Sequence, residues 1–304
     1  MDPEGGCQPI THDVDGVKTS VISNGEIYNF RELLTTHGLS QKTGSDSEAL
    51  IPLYNKFGPE FINMLNGIFG FVISKNDGQE VLAARDHCGI KPLYHGIGTN
   101  GENWFASELK CIVDQDCVSI ELFPAGHYWT PQTGYVKWYN PVWDNDDYVP
   151  TDNCDAIRPI LEKAIRDQCM SDVPFGLLLS GGLDSAVVAV ALKPIMEELK
   201  QEFHSFSVGM EGSPDITAAR MMSKYLGTTH HEHMFNADEA FENIEKIIYH
   251  LETYEPELIR SAIPNFFLAR MTAKHVKVVL TGEGSDELFG GYLYFRDAPN
   301  KQAF

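Results

Sequence analysis

From Leu177 to Leu192 the sequence reads LLLSGGLDSAVVAVAL, an apolar run broken by Ser180, Gly181, Gly182, Asp184 and Ser185. The break falls where a strand should end and a helix begin. Helical N–H groups there have no intrahelical partner, and the helix dipole is positive. Glycines let a ligand approach the backbone without a Cβ in the way. Ser180, Gly181 and Gly182 therefore make a phosphate cradle. No lysine follows, so the loop is not of the G-x-x-x-x-G-K-[ST] type. Asp184 would repel a phosphate unless Mg²⁺ lay between them. A tight Gly-Gly turn with Asp184 as a helix N-cap is the plain alternative.

The elements around this loop place it at the end of a strand. A helix from Asp155 to Cys169 precedes a strand from Phe175 to Leu179 and a helix from Ser185 to Leu192. The strand HSFSVGM, the helix DITAARMMSKYLG and the strand HHEHMF follow. Helices are expected over Ala237–Thr253 and Ile263–His275, and the strand VKVVL then meets TGEGSDELFGG. Such alternation predicts a doubly wound parallel sheet, with ligands at the carboxyl ends of its strands. Residues 1–143 read differently, as short strands with period-two alternation, hairpin tips at Asn76-Asp77-Gly78 and Thr133-Gly134, and a helix at Ser47–Phe57. This half is a mixed, largely antiparallel layer. The acidic, aperiodic stretch Asn140–Asn153 reads as a linker, with the second domain spanning 144–304.

Composition narrows the function. The 304 residues carry a formal charge of −20, with 43 % hydrophobic and 22 % charged residues. The acidity argues against nucleic acid or an anionic membrane as partner, since both need a basic footprint. No C-x-x-C pair occurs among the six cysteines, and no signal sequence is visible, so a reduced cytoplasmic chain is expected. Among His230, His231 and His233, the last two share a strand face and His230 points opposite, which argues against a metal cluster.

SGGLDS (180–185) resembles the pyrophosphate loop of ATP pyrophosphatases. HSFSVGMEGSPD (204–215), LGTTHHEH (226–233) and LTGEGSDELFGGYLYF (280–295) resemble glutamine-hydrolysing asparagine synthetases. NGEIYN (24–29), TGSDSE (43–48) and RDHCGIKPLY (85–94) resemble the amidotransferase domain of the same family. The resemblance runs the length of the chain, in order. It implies an α/β and α+β protein: a partial N-terminal-nucleophile-type αββα sandwich, then a doubly wound parallel-sheet domain that binds adenine nucleotide.

The resemblance implies that the second domain takes MgATP and aspartate, forms β-aspartyl-AMP and passes it to ammonia. It places Ser180, Gly181, Gly182, Asp184 and Ser185 on the pyrophosphate, with Asp184 and Asp286 on Mg²⁺. Leu178 and Val208 would line the adenine and ribose pocket, and Thr281 and Gly282 would meet the nucleotide through their backbone. Many relatives carry serine at the position of Thr281. Glu283 would assist formation of the intermediate and deprotonate incoming ammonia, whose attack yields a cationic centre that must lose a proton. Solvated acids at a helix start are the alternative for Glu283 and Glu287. ETYEPELIRSAIP (252–264) departs from the commoner family form, but leaves Arg260 where a cation would meet the aspartate carboxylate or a phosphate. In the first domain, Asn24 and Gly25 would form an oxyanion hole, and Glu26 and Asp46 would hold the α-amino group of glutamine. SNGE is also a good hairpin turn.

The family begins several dozen residues earlier, at a cysteine whose thiol is the nucleophile and whose own amine is the base. Here Asp2 follows Met1, and Cys7 lies in a segment well downstream of that nucleophile. The chain also ends at Phe304, where relatives continue. Truncation at both ends is therefore expected, with exposed apolar sheet edges, poor stability or dependence on a partner, and synthesis from free ammonia or none. Family members pair, which implies a homodimer, although the sequence does not reveal the oligomeric state. Two alternatives keep the adenylation loop: a β-lactam synthetase-like ligase acting on another carboxylate, and a non-catalytic nucleotide-binding remnant.

Overall fold

A computed structural model describes residues 5–145, 147–149 and 153–300. Met1, Asp2 and Phe304 lie outside the described residues, as do Asp146 and 150–152 of the expected linker. The chain divides into two compact units, Met1–Asn153 and Cys154–Phe304. Each is a mixture of strands and helices, the first with antiparallel sheets and the second with a parallel one.

The first unit runs β1 (Ile10–Val14), β2 (Val17–Ile27), α1 (Phe30–His37), α2 (Leu50–Phe57), β3 (Gly67–Lys75), β4 (Glu80–Arg85), β5 (Tyr94–Gly98), β6 (Asn103–Ala106), β7 (Cys117–Leu122), β8 (His127–Thr130) and β9 (Gly134–Lys137). Six strands form one sheet in the order β1-β2-β3-β4-β8-β9, and three form a second in the order β6-β5-β7. The sequence of β3, GIFGFVISK, explains its position between two layers. Phe69, Phe71 and Ile73 alternate onto one face, where Phe61 packs on Phe71 with ring centroids 5.9 Å apart. Val72, on the opposite face, joins a core of Ala83, Leu93, Phe123 and Trp129. His95 of the second sheet stacks on Phe105 and meets Trp129 edge-on, joining the sheets across that core. The tip at Asn76-Asp77-Gly78 has positive φ at all three residues, as a tight hairpin of these residue types requires. The expected helix at Ser47–Phe57 is a 3₁₀ turn over Asp46–Ala49 that continues into α2. SNGE is no turn: it lies inside β2, paired with β3. At the edge of the smaller sheet, β7 leaves Val118 and Leu122 exposed.

The second unit runs α3 (Ile157–Gln168), β10 (Phe175–Leu178), α4 (Leu183–Leu199), β11 (His204–Gly209), α5 (Pro214–Leu226), β12 (Thr229–Met234), α6 (Ala237–Leu251), α7 (Pro256–Thr272), β13 (Val278–Leu280), α8 (Ser285–Phe289) and α9 (Leu293–Arg296). The parallel sheet has the order β12-β11-β10-β13. Leu177 and Leu179 face a core shared with Val188, Ala189 and Leu192 of α4 and Ala219 and Leu226 of α5. Phe206, with Leu178 and Val208, faces Leu268 of α7 on the other side. Helices therefore cover both faces of the sheet. Two helices are longer than their prolines suggest. α4 continues through Pro194 because Ile195 and Met196 are buried, and α7 begins at Pro256 and runs through Pro264. Tertiary burial outweighs the helix-interior proline cost of about 3 kcal/mol. Pro256 sits where its missing N–H costs nothing, behind a Glu255 carboxylate that accepts from Leu258 N at 2.8 Å. No described helix is long and apolar enough to cross a membrane.

Candidate active site

The parallel pairing of β10 with both β11 and β13 sets Leu177 opposite Leu280, so the loops after β10 and β13 leave the sheet at the same end. Residues about a hundred positions apart thereby become neighbours. A Cβ on Gly282 would lie 2.9 Å from Asp184 C and Ser185 N, so only a glycine lets the second loop rest on the first turn of α4. Gly181 has φ +81°, and a Cβ there would lie 2.6 Å from Ala218 Cβ and Ala219 N, which presses this loop onto α5. Gly182 is the N-cap residue and Asp184 lies inside the first turn, so Asp184 is not the cap. Ser180 Oγ accepts from Gly182 N at 3.2 Å and lies 3.0 Å from Ser185 Oγ, which donates to Gly182 O at 3.2 Å. These bonds hold the loop open around the first-turn N–H groups.

Leu178, Ser180, Asp184, Ser185, Val208, Thr281, Gly282, Glu283 and Asp286 line one cavity of about 280 Å³. Gly181 and Gly182 form its loop without being among the lining residues. Arg260 is not brought there: it is exposed on α7, while Asn265 of the same helix lines the cavity. Ser207, Asp215, Asn265 and Tyr292 also line it, and sequence reasoning passed over all four. Ser207, Asp215 and Tyr292 stand inside the matching motifs and were within reach; Asn265 gives no signal, because its helix reaches the cavity only through tertiary packing. Glu287 is not merely solvated, since it accepts from the Tyr292 hydroxyl at 2.7 Å, a bond that holds its carboxyl below the usual range.

Asp184 and Asp286 fit a Mg²⁺ that arrives with phosphates. Magnesium takes one or two carboxylates and completes its shell from substrate oxygens and water. Two carboxylates lining one cavity beside a glycine loop meet that need. Among the described residues no three His, Cys, Asp or Glu side chains form a metal cluster, and none is needed for this mode of binding.

In the first unit Gly25 has φ +145°, and a Cβ there would lie 2.0 Å from Ile68 O. Asn24, beside it, borders a small cleft of about 190 Å³; Gly25, Glu26 and Asp46 are not among its lining residues. Glu26 and Asp46 interact as like charges, and Asp46 accepts from Ile27 N at 2.7 Å. Burial first, then Asp46, raises the Glu26 pKa; burial also raises that of Asp46. A folded-state pKa above the unfolded one makes stability fall as pH rises above about 4.5, until the raised pKa is passed. Glu26→Gln is therefore expected to raise Tm at pH 7 by about 2–5 °C and to flatten that decline; an unchanged Tm across pH 4–8 would contradict it.

Two motif residues serve structure instead. Glu48 is fully buried and accepts from Lys42 N and Thr43 N at 2.7 Å each, with His12 Nε2 2.6 Å away. Asp86, also fully buried, accepts from four backbone N–H groups, those of Phe69, Cys88, Ile90 and Lys91.

This pair of units matches known domains. Residues 156–304 match the asparagine synthase family, and residues 1–114 match a glutamine amidotransferase domain. The whole chain aligns with "Asparagine synthetase [glutamine-hydrolyzing] 2" of Arabidopsis thaliana at 46 % identity and with "Asparagine synthetase [glutamine-hydrolyzing]" of Zea mays at 44 %. The chain belongs to the asparagine synthetase family. It spans about half the length of these curated relatives, 54 % and 53 % respectively. A solved "allosteric regulatory enzyme of purine biosynthesis" aligns over 76 % of this chain and 63 % of its own, at 15 % identity and a TM-score of 0.39, too distant to bear on the chemistry. Within the family match, the SGGLDS loop and the GEGSDE loop both fall in the asparagine synthase segment, and Asn24 to Asp46 fall in the amidotransferase segment.

Proposed function

We propose that the second unit is the adenylation site of an asparagine-forming ligase. It would bind MgATP, join the aspartate β-carboxylate to the α-phosphorus, release pyrophosphate, and let ammonia displace AMP. The observation that carries this reading is the convergence of the two glycine loops, with Asp184 and Asp286, on one cavity at the carboxyl end of a parallel sheet. In it, the first turn of α4 and the hydroxyls of Ser180 and Ser185 bind the pyrophosphate portion, and Leu178 and Val208 bracket the nucleoside. Bound Mg²⁺, held by Asp184 and Asp286, would neutralise the phosphate charge. Glu283, exposed at the cavity, takes a proton from the attacking ammonia.

In the amidotransferase unit Asn24 and Gly25 would stabilise an oxyanion, and the Glu26–Asp46 pair would hold the α-ammonium of glutamine. Two crowded carboxylates without full solvation favour such a cation. The pyrophosphate test is direct. With Mg²⁺ and aspartate, the chain is expected to exchange labelled pyrophosphate into ATP. No exchange with aspartate, despite ATP binding, sinks the ligase reading; exchange with a different carboxylate would move it to another amide ligase. Glu283→Gln is expected to lower ammonia-dependent asparagine formation about 10²–10⁴-fold. Exchange should fall far less, and an equal loss of both would remove Glu283 from the proton transfer.

A further inference from the structure

Ser207 is 4 % exposed, yet it lines the cavity. Its hydroxyl ends a hydrogen-bonded chain on the α5 side of the sheet. Ser223 Oγ lies 2.8 Å from Thr228 Oγ1, which lies 2.6 Å from Ser205 Oγ, itself 2.8 Å from His230 Nδ1. On the other edge of the imidazole, Nε2 lies 3.1 Å from Ser207 Oγ and 3.4 Å from Glu232 Oε1. Arg220 grips Glu232 through two bonds of 2.7 Å, which keeps that carboxylate ionised and acceptor-only.

The position of Glu232 selects one of the two directions this chain can take. An ionised carboxylate beside Nε2 selects the tautomer with the proton there. Nδ1 then accepts from Ser205, Ser205 from Thr228, and Thr228 from Ser223. Nε2–H is shared between Glu232 and Ser207 Oγ, so Ser207 accepts from the ring and keeps its own proton free. Ser205 and Ser207 face α5, the helix on which the Gly181 loop rests, whereas Phe206 and Val208 face α7. The free O–H thus lies on the phosphate-loop side of the cavity.

We propose that Ser207 donates this proton to an oxygen of the nucleotide's phosphate chain, and that His230 is the positioning residue that aims it. The inference rests on reading the cavity as a nucleotide site. Calorimetric titration of the full chain with MgATP tests it, with thermal melting as a check on folding. Ser207→Ala is expected to weaken MgATP about tenfold, the loss of a hydrogen bond to a charged acceptor. Adenosine, used as the second probe, should bind both proteins alike. His230→Leu should match Ser207→Ala, and adding it to Ser207→Ala should cost nothing more. His230→Gln, whose amide N–H stands where Nε2–H does, should recover binding to within about threefold. A wild-type chain that binds no MgATP overturns both this inference and the nucleotide reading. Unchanged binding by Ser207→Ala in a wild type that does bind overturns this inference alone. A parallel loss of adenosine binding overturns the phosphate assignment, and failure of His230→Gln to recover binding overturns the role of His230.

Discussion

Asp184→Asn and Asp286→Asn are each expected to cut aspartate-dependent ATP–pyrophosphate exchange by about 30- to 1000-fold. The two carboxylates line the cavity into which the SGGLDS loop directs the first turn of α4. In the proposed reading each would supply a full charge toward a divalent ion bound with ATP. A charge pair at about 4 Å in an environment of intermediate polarity is worth roughly 2–4 kcal/mol, the energy behind that range. Asparagine keeps the shape and most hydrogen bonds, so folding should survive. Losing an acid from the first turn of α4 costs only about 0.3–1 kcal/mol through the helix dipole. The two roles therefore separate by measurement. A variant that melts slightly lower and still exchanges pyrophosphate at the wild-type rate would make Asp184 a helix-start acid and nothing more. For Asp286 the surroundings are tighter. Gly291 lies so close that a Cβ there would meet the Asp286 carboxylate, so the geometry of that side chain is built into the turn after α8.

Gly25→Ala is expected to destabilise the first unit by about 3 kcal/mol or more. Gly25 lies in β2, opposite Phe69 of β3, in the middle of the six-stranded sheet. Its φ of +145° is one that L side chains rarely adopt, and the added Cβ would fall 2.0 Å from Ile68 O and 2.7 Å from Phe69 Cα. Both obstacles are backbone, so no rotamer change relieves them; the two strands must separate. Strain and overpacking of this kind belong to the largest single-residue effects. Urea unfolding followed by tryptophan fluorescence measures the loss. Hydrogen exchange adds the location: amides of β2 and β3 should lose protection while those of β10 and β11 keep it. A midpoint within 0.2 M urea of wild type would mean that the strands accommodate the methyl group, and the close approach would then not explain the glycine.

The local parts of the candidate site were legible in the chain. A strand, two glycines and a helix follow one another between Phe175 and Leu199, and each is dictated by near neighbours: apolar run, positive-φ glycine, first-turn acid. The same holds for the hairpin at Asn76-Asp77-Gly78. Helix limits were less legible. Helices were expected over Ser185–Leu192 and Ile263–His275, yet α4 runs on through Pro194 and α7 begins already at Pro256, because buried side chains beyond the prolines offset the local penalty.

What the residue order settled on its own is therefore the strand–glycine–helix transition at Ser180–Ser185 and the presence of a second glycine loop at Thr281–Gly284. Which residues stand opposite one another was decided by the parallel pairing of β10 with β13, which brings Gly282 onto Asp184. The same packing puts Ser207, Asp215, Asn265 and Tyr292 at the cavity and leaves Arg260 out of its lining. It also sets His230 against the serines of β11. The reason is physical: torsional preference and side-chain period act over a few residues, whereas the approach of distant loops depends on strand register and on which helix covers which face.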